Sequence, residues 1–168
     1  PTVITVASGE AAKRGWLFKG GDVIEMASNI SQIIFDKTGT LTIGRPLVVG
    51  SWESQESSRS EMLRLAASIE TDSRHPLAQA IIQEAHKEEI KLDRTSSAKT
   101  FPGQGISGKI DGSKELIRVG TPEWIKHEGI EWSEIIENNL RISKNKAQSI
   151  VAVALEKKLL GFFLIDDQ

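Results

Sequence analysis

Two apolar runs near the carboxyl end, residues 150–155 and 159–165, constrain the fold most, because the charged break Glu156-Lys157-Lys158 between them marks a β-hairpin of 149–155 and 160–165. Each run is far below the ~20 residues that a transmembrane helix needs, so no bilayer span is predicted. A further strand is read at 45–52. Residues 91–106 read as loop or strand, and in 106–119 the alternation breaks at Asp111-Gly112, a two-residue hairpin signal. Helices come between. Ser58 with Glu61 three residues on is a capping box, followed by an apolar stripe at Met62, Leu65, Ala66 and Ile69. Pro76 opens a second helix, with Asp72 and Ser73 upstream as candidate caps and Leu77, Ala80, Ile81 and Ala85 on one face. A third is predicted at 133–142. At the amino end, 1–12 has helix-compatible spacing that Lys19-Gly20-Gly21 turns off, and 32–35 is a short β-branched run of the buried-strand type that stops at Asp36. The fold class is α/β: an antiparallel sheet with helices, inserted into a body that begins and ends with parallel-type strands.

Composition narrows the chemistry. The 168 residues carry 21 Lys+Arg against 23 Asp+Glu, a net charge of −2, so no polybasic surface is present and nucleic acid is not an expected partner. With no cysteine, a disulfide framework, a thiolate zinc site and a cysteine nucleophile are excluded. The length fits one domain, or one domain with pieces of another. The opening Pro1-Thr2 and the ending Asp166-Asp167-Gln168, directly after an apolar run, read as those of an excised piece. His86 and His127 lie in charged surroundings and are expected to face solvent; Trp52, Trp124 and Trp132 are expected to pack, and Lys87-Glu88-Glu89 to form a solvated helix face.

The string Asp36-Lys37-Thr38-Gly39-Thr40-Leu41-Thr42 holds the reactive chemistry. A carboxylate at a strand end, followed by a glycine turn with hydroxyls and exposed N–H groups, can accept a phosphoryl group while the loop holds its oxygens. Mg²⁺ would bridge carboxylate and phosphate, with Asp36 and Thr38 as its expected contacts. In haloacid-dehalogenase phosphatases a second Asp stands two residues after the nucleophile to protonate the leaving group and activate water. Thr38 cannot do either at neutral pH, so the acyl phosphate should persist. This string resembles the phosphorylation signature of P-type cation-transporting ATPases.

Within those enzymes, Ser73-Arg74-His75-Pro76-Leu77 resembles the His-Pro signature of the heavy-metal subgroup's nucleotide-binding domain. The resemblance implies that His75 lines an adenine pocket and that Glu70, five residues upstream, contacts the adenine edge. It places Gly103, Gly105 and Ile106 on a Gly-x-Gly segment along the ATP pocket; a dinucleotide fingerprint is rejected there because these glycines lead into a hairpin rather than a helix. Gly120 and Thr121 fall where Gly-Asn is usual, and Thr lacks the two-pronged amide. Lys37, Thr38 and Thr40 would surround the phosphate beside the nucleophile Asp36. Lys19-Gly20-Gly21 resembles the stalk before the phosphorylation strand, and 161–167 the strand returning to the phosphorylation domain, with Asp167 near the Mg²⁺ and the hinge. Pro1-Thr2 looks like the residues after the Cys-Pro-Cys helix of copper transporters. The implied organisation is 1–44 as stalk end and first phosphorylation segment, 45–163 as the nucleotide-binding domain, and 164–168 as the start of the return segment. The implied parent is a membrane protein whose phosphorylation, actuator and transmembrane domains lie elsewhere. This segment would be soluble, at the cytosolic face, with Cu⁺ bound outside it and a copper metallochaperone as a partner. The alternatives are a zinc, cadmium or silver ATPase, a haloacid-dehalogenase phosphatase with a large cap, and a stand-alone nucleotide-sensing module.

Overall fold

The structure, a computed structural model, describes residues 2–144 and 148–167. It divides into two compact units, 1–37 and 38–168. In the first, α1 (Thr2–Lys13) and α2 (Gly21–Ala27) are short helices. The turn expected at Lys19-Gly20-Gly21 comes earlier, because Gly15 (φ 83°) takes the left-handed conformation and Trp16 N–H closes back on Ala11 O at 2.9 Å; Gly21 instead opens α2. Residues 32–35 form no strand, and Ile33, Ile34 and Phe35 are exposed. An apolar strand of that type is stable only between neighbours in a parallel sheet, and every ladder among the described residues is antiparallel. Among the described residues no parallel ladder forms, while the expected antiparallel sheet flanked by helices is present.

The second unit is built on one six-stranded sheet, ordered β1-β6-β5-β4-β3-β2. Its strands are β1 (Pro46–Glu53), β2 (Thr95–Phe101), β3 (Gly105–Ile110), β4 (Ile117–Gly120), β5 (Ser149–Leu155) and β6 (Lys158–Asp167). The β5–β6 hairpin turns on Glu156 and Lys157, as its charged break predicts, and occupies the sheet interior. β6 runs unbroken across 163–164 and pairs with both β5 and β1 as far as Asp167. Asp111-Gly112 does turn, with Gly112 at φ 82°, but six residues (111–116) separate β3 from β4, because Ile110 pairs with Thr95 of β2 and β4 begins only at Ile117. The expected two-residue hairpin is thus a longer connection.

Period-2 alternation sorts the sheet's two faces. Val151 and Val153 of β5 pack into a core with α3 (Arg59–Ile69) and α4 (Pro76–Lys87), while Ala152 and Ala154 pack into a second core with α5 (Pro122–His127) and α6 (Glu134–Lys144). Ser58 caps α3 as its motif predicts, accepting from Glu61 N–H at 3.2 Å. α4 is capped differently: His75 Nδ1 accepts from Leu77 N–H at 3.3 Å, in place of the expected Asp72 or Ser73. No described helix is long and apolar enough to cross a membrane.

Candidate functional site

At one end of the sheet, the α3–α4 corner and the turn between β2 and β3 enclose a cavity of about 350 Å³, within the range of small-molecule sites. Glu70 and His75 reach it from the corner. Gly103, Gly105 and Ile106 reach it from the turn and β3, Gly120 and Thr121 from the end of β4. All seven residues expected around a nucleotide thus line one space. Ile81, Val119 and Val151 give it an apolar wall, and among the described residues Glu70 and His75 are its titratable lining groups.

The corner is held by its own hydrogen bonds. Glu70 closes α3 as its C-cap, donating its N–H to Ala66 O at 3.2 Å. Burial raises the Glu70 carboxyl above the usual carboxylate range, and a hydrogen bond from the Ser73 hydroxyl pulls it partly back. Because His75 Nδ1 accepts the capping N–H, the neutral imidazole carries its proton on Nε2. The ring can therefore cap its helix through one nitrogen and donate through the other.

The glycines have two separate physical causes. Gln104 N–H donates to Phe101 O at 3.0 Å and Gly103 has φ 72°, so Phe101-Pro102-Gly103-Gln104 forms a type II turn whose third position needs a left-handed residue. Gly105 and Gly120 are direct partners in a register row, Phe101–Gly105–Gly120–Ala152, across β2, β3, β4 and β5. The Trp124 indole fills the space above that pair and packs on Phe101 with centroids 5.1 Å apart. A Cβ on Gly105 would lie 2.7 Å from Trp124, and one on Gly120 equally close. Their missing side chains thus make room both for each other's strand backbone and for a tryptophan on the α5 face, beside their place in the cavity lining. Thr121 belongs to the same arrangement. Its Oγ1 caps α5 by accepting from Trp124 N–H at 3.3 Å, a task Asn performs at least as well. The departure from Gly-Asn therefore keeps the capping chemistry.

The Asp36 string is less complete. Asp36 is exposed and lies in the first compact unit, while the string continues into the second as a π-type turn, Lys37–Leu41. The side chains of Lys37 and Thr38 lie outside the described residues, and Thr40 is exposed. Within the second unit, Thr42 Oγ1 donates to Asp167 Oδ2 at 2.6 Å and accepts from Gly39 N–H at 3.2 Å, tying the turn to the end of β6. Asp167 Oδ1 stays buried without a partner, yet among the described residues no three metal-ligating side chains come together. The described residues do not by themselves build a Mg²⁺ site.

Sequence reasoning missed Ser73 as a member of the site. It reads as a candidate cap, and only the folded corner shows it lining the cavity, its hydroxyl accepting from the His75 backbone N–H at 3.3 Å. Trp52 and Trp124 do pack, Trp52 stacked on Phe162 at 5.6 Å, and His86 and His127 are exposed, all as expected.

Residues 30–168 match the haloacid dehalogenase-like hydrolase family. The chain is 36% identical over 167 residues to a zinc/cadmium/lead-transporting P-type ATPase of Shigella sonnei, covering 99% of this chain and 22% of that protein. It is 35% identical to a copper-exporting P-type ATPase of Staphylococcus aureus, covering 99% of this chain and 20% of that one. A crystal structure of a zinc-transporting PIB-type ATPase in the E2·Pi state superposes with a TM-score of 0.77 at 32% identity, over 98% of this chain and 26% of the other. The chain thus spans about a fifth of the length of these curated relatives.

Proposed function

The chain belongs to the haloacid dehalogenase-like hydrolase family, and from that premise we propose that it is the nucleotide-binding part, with the phosphorylation loop, of a heavy-metal P-type ATPase. One observation carries the reading: a half-buried carboxylate and an imidazole with a defined donor nitrogen line one cavity with apolar walls. A flat purine suits that lining. The ionised Glu70 accepts from the exocyclic amine of adenine, His75 Nε2–H donates at the mouth, and Ile106 and Val119 cover the ring face. ATP supplies the γ-phosphoryl group. An Asp36 carboxylate oxygen forms the new bond to phosphorus as the bond to the β,γ-bridging oxygen breaks, and ADP leaves with that electron pair. With Thr38 where a phosphatase has its second acid, the aspartyl phosphate persists long enough to drive transport by the parent protein, at the cytosolic face of a membrane.

Calorimetry or amide-shift titration of this chain tests the nucleotide reading. ATP should bind more tightly than GTP, and His75→Ala should weaken it; a folded sample with no saturable ATP response overturns it. Without further carboxylates for Mg²⁺, the chain should not label itself from radioactive ATP, whereas Asp36-dependent labelling would show that it carries a complete catalytic set. Phosphatase turnover without ATP would favour the capped phosphatase instead. The finer assignment of Cu⁺ as cargo, with a copper metallochaperone as donor, rests on Pro1-Thr2, since zinc and copper relatives match almost equally. ATP hydrolysis by the parent protein, stimulated by Cu⁺ and not by Zn²⁺, is its expected signature.

A further inference from the structure

We infer that Trp124 is a positioning residue for the cavity, working from the other face of the sheet to hold the wall that β2, β3 and β4 present to the ligand. The inference rests on the nucleotide reading above. Ile81, Val119 and Val151 of the cavity belong to the core under α3 and α4, whereas Trp124 is buried in the core under α5 and α6 and does not line the cavity. The wall residues nevertheless meet it. Its indole packs on the Phe101 ring with centroids 5.1 Å apart and fills the space beside the Gly105–Gly120 pair. Its backbone N–H donates to Thr121 Oγ1 at 3.3 Å. Phe101, Gly105, Gly120 and Thr121 all line the cavity.

Backbone bonds close the arrangement. Thr121 N–H donates to Gln104 O at 2.8 Å and Gln104 N–H donates to Phe101 O at 3.0 Å, so the β2–β3 turn is fastened to the N-cap of α5 and, through Phe101, rests on the indole. At this row β3 and β4 present only glycines, which have no side chain to pack with. The indole supplies the missing packing surface, large and with few torsions to order. Without it, Phe101 and the turn lose what backs them, while Glu70 and His75 stay on a corner whose helices pack on the opposite face. One wall of the cavity would move against the other, and a ligand spanning both would bind more weakly.

The experiment uses the full chain as wild type, Trp124→Leu, Trp124→Phe and, as control, Leu159→Ala. Leu159 is buried in the same core at the start of β6 and is no part of the cavity lining. Trp124→Leu and Leu159→Ala should both melt earlier, so ATP affinity is compared at a temperature where each is folded. There Trp124→Leu should weaken ATP on the order of tenfold, the scale of one lost aromatic pairing, while Leu159→Ala leaves it unchanged. Trp124→Phe keeps a ring beside Phe101 and should recover most of the loss; if Trp124→Leu does not fold, Trp124→Phe is read against Leu159→Ala with a smaller loss expected. In the free proteins, amide exchange at Gln104 and Thr121 should quicken in the Trp124 variant and not in the control. Unchanged ATP affinity in a folded Trp124→Leu, or equal weakening in Leu159→Ala, overturns the inference. If wild type binds no nucleotide, the nucleotide reading fails and exchange alone decides: faster exchange confined to the Trp124 variant upholds the positioning of the wall, and equal exchange in variant and control defeats that as well.

Discussion

Glu70 shows how a cavity-lining carboxylate can work against the fold that holds it. Its carboxyl titrates higher in the folded chain than in the unfolded one, because burial outweighs the Ser73 hydrogen bond. The folded state therefore keeps the extra proton. Glu70's contribution to stability is complete below the ordinary value of 4.5 and is lost as pH rises through the raised folded-state value. Glu70→Gln removes the buried charge while keeping the shape, so its melting temperature should overtake that of wild type progressively between pH 4 and 8. ATP affinity should fall about tenfold in the same variant, because the amide presents a neutral acceptor where a carboxylate stood. Melting curves across that pH range, paired with ATP titrations, check both halves; a variant less stable at pH 8 than wild type would show that Glu70 supports the corner. That His75 and Glu70 come together in one cavity was legible from the motif around Pro76, but the cap formed by His75 was not. Asp72 and Ser73 are stronger capping residues by type, but the imidazole takes the position, and the Ser73 hydroxyl accepts from the His75 backbone N–H instead.

Among the elements, those specified by local chemistry were legible and those specified by distant neighbours were not. The α3 cap is a local signal, Ser58 with Glu61, and it forms as read. Ser58→Ala should cost about 1 kcal/mol. For a chain of this size that lowers the melting temperature by roughly 2–4 °C, readable by calorimetry, with no loss of ATP binding since the cap lies at the far end of α3 from Glu70. The strand read at 32–35 failed for the opposite reason: its β-branched composition states a preference for burial between strands, and no parallel partner exists among the described residues. α5 was missed because six residues starting at Pro122 give too little periodicity, although the Thr121 cap and the proline at its first turn are both present. Gly105 and Gly120 line the cavity, and the row from Phe101 to Ala152 also places them under Trp124. Gly105→Ala should therefore destabilise the fold by about 1–3 kcal/mol through overpacking, whether or not nucleotide is present. A loss of affinity at unchanged melting temperature would instead assign the glycine to the ligand.

For the whole molecule, the distribution of buried surface determines what can fold alone. Apart from Ala11, every buried apolar residue among the described ones lies between Met62 and Ile165, and both cores belong to the second compact unit. That unit also contains the complete sheet, the four helices α3–α6 and every residue lining the cavity. The first unit exposes Val3, Val6, Trp16 and Leu17 and contributes one buried side chain. Folding free energy scales with apolar area removed from water, so nearly all of it comes from residues 38–168. A chain shortened to those residues should melt cooperatively and return the same ATP-induced amide shifts around Glu70, His75 and Ile106. Thr42, which anchors the start of the unit to the end of β6 through Asp167, should become its weak point, because Thr42→Val removes the hydroxyl and leaves a buried carboxylate with both oxygens unpaired. The expected penalty is about 1–3 kcal/mol, appearing as faster amide exchange at the two ends of β6's ladder with β1 before global unfolding. If the shortened chain loses its cavity response while remaining folded, residues 1–37 take part in shaping the site; if it keeps the response and Thr42→Val leaves exchange unchanged, the fold closes through its sheet alone.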